Sequence, residues 1–271
     1  MDHPEFPEVR NFREFEARDN LYKRSLNKAT AIVADSEIGK ENIINKYNID
    51  KSRIYIRGLS IQSELIKNKS MFEASSLDVK KRFNIKSPYL FYPAQFWPHK
   101  NHIYILEGLK ILNYKYNINV SAVFTGSDKG NLSYIKDYAG NLNLEDRIIY
   151  PGFVNSEELY KLYKGCIALV MPTYFGPTNI PPLEAFFMGV PVLYSDLCGP
   201  KSQVEDASIL INLMDPHSMA DSIKSLLEDQ ELRNSFIAKG YKKLKESEKL
   251  NEINYIKEII DRYKLKRLTW K

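Results

Sequence analysis

Tyr89-Leu90-Phe91-Tyr92-Pro93, Val120-Ser121-Ala122-Val123-Phe124-Thr125, Ile148-Ile149-Tyr150, Ile167-Ala168-Leu169-Val170-Met171 and Val190-Pro191-Val192-Leu193-Tyr194 are five short apolar runs set between stretches of helical periodicity. Each is continuous rather than alternating, which predicts strands buried on both faces. Between the first two, residues 102–114 carry Ile103, Ile105, Leu106, Leu109 and Leu112 at helical spacing. Residues 132–141, 156–163, 182–188 and 218–227 read as further helices, the last opened by Ser218 as N-cap with Asp221 in its first turn. Strands joined through helices predict right-handed crossovers and an α/β fold with an open, doubly wound, Rossmann-like parallel sheet. In that plan a ligand sits at the carboxyl ends of the strands.

Upstream the pattern changes. Residues 11–28 read as a charged helix, 29–34 as a strand, 36–47 as a helix capped by Ser36, and 54–57 as a second strand. Residues 66–76 are polar and irregular, as in a hinge. Downstream, residues 231–248 and 251–263 read as long amphipathic helices. These features divide the chain into a small α/β portion at 1–75, a main domain at 76–250, and a terminal helix with a basic tail at 251–271.

Bulk properties narrow the function. Of 271 residues 44% are hydrophobic and 27% charged, ordinary for a globular protein. The net charge of +5 comes from lysines scattered among acids, with no basic stripe or module, which argues against a nucleic-acid partner. Cys166 and Cys198 form neither a disulfide framework nor a metal pattern, so reduced thiols are expected. Neither a membrane-length apolar run nor a signal peptide is present in the sequence, and a cytoplasmic location is the expectation. The segment from Asp261 to Lys271 combines basic residues with Tyr263 and Trp270. That composition suits peripheral contact with the inner membrane surface, although a solvated tail accounts for it more readily.

Three loops follow strands as phosphate and sugar binding requires. Residues 93–102 place Lys100 just before a helix, where orphan amides and the helix dipole favour an anion, or where it is simply a solvated surface lysine. Gly126, in Thr125-Gly126-Ser127, permits close backbone approach to a ligand or simply a tight turn. The third loop is Pro172-Thr173-Tyr174-Phe175-Gly176-Pro177-Thr178-Asn179-Ile180-Pro181-Pro182-Leu183-Glu184-Ala185. Its paired prolines suit a helix start. Glu184, one turn inside, is an acceptor for two vicinal hydroxyls such as a ribose offers, or else a solvated helix acid.

The third loop resembles that of glycosyltransferase family 4, whose architecture, called GT-B, sets two Rossmann-like domains face to face. The family pattern Glu-Gly-Phe-Gly-x-Pro-x-x-Glu, laid on without gaps, puts its second glutamate on Glu184 and its first on Gly176. The resemblance implies that Glu184 holds the ribose hydroxyls, while Thr178, Asn179 and Ile180 approach the sugar and diphosphate. The carboxylate that contacts the transferred sugar is absent at Gly176. Gln95 and Lys100 fall on the family's phosphate-binding Arg/Lys pair, with glutamine replacing arginine. Pro151-Gly152-Phe153-Val154 is similar to its base-binding turn, with backbone groups near Phe153 and Val154 reading the base.

The implied activity is a retaining hexosyl transfer from a UDP- or GDP-sugar to a glycan or lipid-linked acceptor, as in polysaccharide biosynthesis. Lys100 and Glu184 are its catalytic candidates. Lys100, with amides at Gly126 and at Thr178 and Asn179, would stabilise the leaving diphosphate without a metal or other cofactor. The absence of an Asp-x-Asp sequence agrees with that. Residues 1–75, including His3, are similar to the last part of the family's acceptor-side domain. That leaves a second expectation: a non-catalytic nucleotide-sugar-binding module, or a subunit whose partner chain supplies the acceptor half. An epimerase or phosphorylase of similar fold ranks below both, since the loop lacks the acid–base groups or pyridoxal-phosphate lysine these need.

Overall fold

The computed structural model describes residues 12–174, 176, 179–249 and 253–269. The chain divides into two compact units, Met1–Ser60 with Lys245–Lys271, and Ile61–Leu244. The division falls fifteen residues earlier than position 75, and the terminal segment joins the smaller unit.

In the smaller unit the chain forms α1 (Phe12–Ser25), β1 (Ile32–Ala34), α2 (Glu37–Tyr47) and β2 (Ile54–Ile56). The two strands are parallel, with Ile32 opposite Ile54. Ile32, Ala34, Ile49 and Ile54 make its core. Ser36 caps α2 as expected, its Oγ accepting from the Gly39 N–H at 3.0 Å. β1 begins at Ile32 rather than at 29, because the Ala29 N–H closes the turn after α1 on Ser25. The Arg53 guanidinium meanwhile occupies the carbonyls of Leu26, Asn27 and Ala29.

In the larger unit α3 (Ser63–Lys67), α4 (Lys69–Ala74) and α5 (Val79–Arg82) precede β3 (Tyr89–Pro93). Residues 66–76, expected as an irregular hinge, are largely helical, anchored by buried Leu65 and Phe72. There follow α6 (His102–Tyr116), β4 (Ser121–Thr125), α7 (Leu132–Asn141), β5 (Ile148–Gly152), α8 (Ser156–Gly165) and β6 (Leu169–Met171). The second half runs through α9 (Ile180–Met188), β7 (Val192–Ser195), α10 (Cys198–Val204), β8 (Ile209–Ile211), α11 (His217–Glu228) and α12 (Gln230–Lys249). A last helix, α13 (Ile253–Leu268), belongs to the smaller unit, where the Tyr263 hydroxyl lies 3.0 Å from that of Tyr55.

The sheet is six-stranded and wholly parallel, in the order β5-β4-β3-β6-β7-β8. Tyr89, Leu90, Phe91 and Tyr92 of β3 are buried, as are Ala122 to Phe124 and Leu169 to Met171, so the central strands are covered on both faces. Each such aliphatic or aromatic side chain contributes about 1.5–3 kcal/mol of burial. Right-handed crossovers put α6 and α7 on one face and α8 and α9 on the other. α6 packs on α11, and α8 on α9. The direction of winding reverses between β3 and β6, which opens a crevice at their carboxyl ends.

Local chemistry sets the ends of these elements. Asn48, Asn84, Asn101, Asn117 and Asn143 all take left-handed backbone conformations, which asparagine tolerates better than other side chains. Asn155 and Glu158 form a reciprocal capping box at the start of α8. Ser218 is not the N-cap of α11: the helix starts at His217, and the Ser218 Oγ accepts from the Asn212 N–H instead. α10 and β8 were not anticipated, since Gly199-Pro200 reads as a loop and the strand is only three residues long.

Among the described residues no helix is long and apolar enough to cross a membrane. Cys166 is buried, and desolvation pushes its thiol up to about 12, so it stays protonated and inert. His3 and the tail residues Trp270 and Lys271 lie outside the described residues.

Candidate functional site

The two loops that flank the winding reversal are stitched to each other. After β3 the chain makes one tight turn over Pro98–Lys100, reverses through Asn101 at φ 53°, and enters α6. The buried Tyr92 hydroxyl donates to the Lys100 carbonyl at 3.0 Å, fixing the turn to the strand. After β6, the Tyr174 N–H donates to the His99 carbonyl at 2.9 Å. The Ser195 hydroxyl bonds the Met171 and Thr173 carbonyls at 3.1 and 2.6 Å, holding this second loop from the β7 side.

Lys100 and Asn179 therefore meet although 79 residues apart, Nζ donating to Oδ1 at 3.4 Å. Among the described residues no carboxylate lies within ion-pair distance of Lys100. Burial depresses its pKa to about 8. An ammonium with so little compensation is costly to bury, and its positive charge is available to an anion. His102 packs among Tyr92, Phe96 and Phe124, tilted against the first two and edge-on to the third. Burial, and then the charge of Lys100, push its pKa down to about 3, so it stays neutral.

Asn179 is held by residues that the sequence did not single out. Gln203 of α10 accepts from its backbone N–H at 3.0 Å and donates to its carbonyl at 2.6 Å. The Asn179 side-chain amide donates to the Tyr194 hydroxyl at 2.5 Å and to the Gly176 carbonyl at 3.3 Å. This corrects one expectation: the Asn179 amide meant for the diphosphate is occupied by Gln203. Gly176 stands at φ +110°, a conformation that a glutamate adopts only under strain, which accounts locally for the missing carboxylate. Thr178 lies outside the described residues, and Ile180 opens α9.

Glu184 is not a solvated helix acid. It is buried, its Oε2 accepts from the Tyr163 hydroxyl at 2.9 Å, and its Oε1 has no hydrogen-bond partner among the described residues. Desolvation raises its pKa, against the lowering effect of Tyr163. Tyr163 was missed because an aromatic on the apolar face of a helix has the pattern of a core residue.

Gln95, Gly126, Phe153 and Val154 form a second group. With Gln62 and Glu64 they line an open cleft of about 670 Å³ across the carboxyl ends of β3, β4 and β5. The Gln95 Oε1 accepts from the Trp97 indole at 3.1 Å, which leaves its amide hydrogens uncommitted. Gly126 corrects a further expectation, since its N–H donates to the Gly152 carbonyl at 3.0 Å and is not available to a phosphate. The glycine is required for another reason. At φ +145° its missing Cβ would stand 2.6 Å from the Ala94 carbonyl oxygen. Phe153 projects at the cleft lip, 90% exposed. Lys100, Asn179, Ile180 and Glu184 stand outside the lining of this cleft, around the winding reversal.

Comparison with known proteins bears on the family and the fold. The chain is 25% identical over 242 residues to O-antigen chain mannosyltransferase B of Escherichia coli, covering 89% of this chain and 62% of that protein. It is 27% identical over 206 residues to O-antigen chain mannosyltransferase RfbU of Salmonella typhimurium, covering 76% and 53% respectively. The chain thus spans about half to three-fifths of the length of these curated relatives. Its fold is that of the GT-B glycosyltransferases: HepE of Anabaena, solved in complex with UDP, superposes with a TM-score of 0.74 at 15% identity, covering 90% of this chain and 68% of that one. Residues 74–243, nearly all of the larger unit, match the model of the glycosyl transferases group 1, and the chain belongs to that family.

Proposed function

We propose that the larger unit binds a nucleoside-diphosphate sugar and serves a retaining hexosyl transfer to a glycan or lipid-linked acceptor. The observation that carries this reading is Lys100, a largely buried ammonium of depressed pKa at the crevice between β3 and β6. Lys100 and the Gln95 amide would take the diphosphate, and the cleft towards Phe153 and Val154 would take the base. The O-antigen mannosyltransferases and the UDP-bound HepE support the substrate class. The positive charge of Lys100 stabilises the departing diphosphate without a metal or other cofactor, and a phosphate oxygen accepts the acceptor's proton. The smaller unit is read as part of the acceptor-side half.

Calorimetric titration of the chain with UDP and GDP, beside uridine and guanosine, tests the site. A diphosphate should bind at least ~10-fold tighter than its nucleoside, in line with a charge-assisted phosphate contact. Binding of neither diphosphate, or equal binding of nucleoside and diphosphate, overturns the reading.

Glu184 is assigned to the ribose because its Oε1 is an uncommitted acceptor and its Oε2, bonded to Tyr163, retains a lone pair. Removal of the 2′- or 3′-hydroxyl from the nucleotide should weaken binding by about tenfold. Glu184→Gln should abolish that preference while leaving the melting temperature nearly unchanged. Deoxy analogues that bind the native chain as tightly as the ribonucleotide would remove Glu184 from this role.

A further inference from the structure

The cleft leaves open which base a nucleotide would carry, and its far end bears on the answer. Ile61 and Leu65 are buried and fix the start of α3, while Gln62 and Glu64 between them face outward and line the cleft. α3 packs on α8, and the Glu64 Oε2 accepts from the Ser156 hydroxyl at 2.7 Å, at the first residue of α8. Glu64 is thereby tied to the turn after β5 that also carries Phe153 and Val154. Among the described residues no cation pairs with Glu64, and the Ser156 hydroxyl is the one group donating to its carboxylate. This end of the cleft thus presents an anionic acceptor, oriented by Ser156, whose Oε1 is uncommitted.

We infer that Glu64 selects guanine, so that the donor is a guanosine-diphosphate sugar. The inference rests on the proposed reading of the cleft as a nucleotide-sugar site. Of the common bases, guanine alone carries two adjacent donors, N1–H and the exocyclic amine, on its pairing edge. Both point the same way and match the two oxygens of a carboxylate, which accepts bidentately. Uracil offers a single N3–H between two carbonyl oxygens, and a carboxylate repels both. Adenine and cytosine set one ring-nitrogen acceptor beside their amine, so one carboxylate oxygen would face a lone pair. The Gln62 amide, beside Glu64, supplies a donor for the guanine O6. The exposed ring of Phe153 offers a stacking face, which every base accepts and which therefore selects none. Selection falls to the edge, and Ser156 holds the carboxylate ready for it.

The test is titration of the full chain with GDP, inosine diphosphate and UDP, repeated on Glu64→Ala and on Glu64→Gln, which keeps side-chain length. Inosine differs from guanosine only in lacking the exocyclic amine. The native chain should bind GDP about tenfold tighter than inosine diphosphate, with UDP weaker still. In Glu64→Ala the GDP advantage over inosine diphosphate should vanish, while UDP affinity holds or rises. Glu64→Gln should lose most of the same advantage. UDP binding as tightly as GDP to the native chain overturns the guanine assignment and leaves the nucleotide site standing. Equal weakening of all three ligands in both variants also overturns it, by making Glu64 a structural residue. No binding of any of the three overturns the nucleotide site and the base assignment together.

Discussion

Lys100→Ala should weaken nucleoside-diphosphate binding roughly 10- to 100-fold while leaving nucleoside affinity within about twofold, because a charged donor to phosphate typically contributes 1.5–3 kcal/mol. The same lysine imposes a pH profile. Its pKa is lowered to about 8 in the free protein, and a bound diphosphate must raise it. The protonated form is the one that binds. Affinity is therefore full below pH 8 and falls as the pH rises through and above 8, until the raised pKa of the complex is reached. The ligand itself does not add to this slope, since its terminal phosphate titrates at roughly 6. Calorimetry at pH 8 in buffers of differing ionisation enthalpy should show proton uptake of about half a proton for the native chain and none for Lys100→Ala. A flat profile between pH 7 and 9.5 in the native protein would take Lys100 out of the phosphate site.

Gly126→Ala should cost the larger unit about 2–5 kcal/mol. An added Cβ would stand 2.6 Å from the Ala94 oxygen and 2.8 Å from its carbonyl carbon, and both are backbone atoms of the loop after β3. Overpacking against backbone typically costs 1–3 kcal/mol, and a non-glycine residue at φ +145° adds about 1–2 kcal/mol of strain. At 2–4 °C per kcal/mol for a unit of this size, the melting transition should fall by roughly 4–20 °C. Gly130→Ala is the control. Its φ is +93°, but nothing lies within 4 Å of the added atom, so only the strain component should appear. Equal melting temperatures for the two variants would show that the crowding at Ala94 is relieved by movement of the loop.

The central strands were legible because burial on both faces leaves no polar position to interrupt an apolar run. Lys100 stood out only through the family resemblance, because a lysine between a strand and a helix reads equally well as a solvated surface residue. Other parts of the site carried no comparable signal. Residues 66–76 read as a hinge because the two helices there, of five and six residues, are too short to show a period among their charges. Glu64, on the first of these helices and just ahead of that segment, carried no signal either. Gln203 holds Asn179 through backbone atoms, and a hydrogen bond to backbone leaves no mark on the partner's identity. The amides of Gly126 and Asn179 were assigned to phosphate from loop position and the family resemblance. Sequence position could not show that Gly152 and Gln203 already satisfied the one or the other.

The strand order also governs when the site comes into being. As the chain is synthesised, β3, β4 and β5 can assemble through neighbouring crossovers, giving a half-sheet whose inner edge at β3 is still unpaired. Phe91 finds its partner Leu169 only after β6 has emerged, and Lys100 finds Asn179 later still, 79 residues downstream. Each doubling of such a separation adds only about 0.6 kcal/mol of closure entropy, so the delay is one of timing rather than of final stability. Until then the nascent chain carries an exposed strand edge, the kind of surface that recruits aggregation partners. Mutations that slow the docking of β6 on β3 should therefore lower soluble yield well before they lower the melting temperature of the folded molecules that remain.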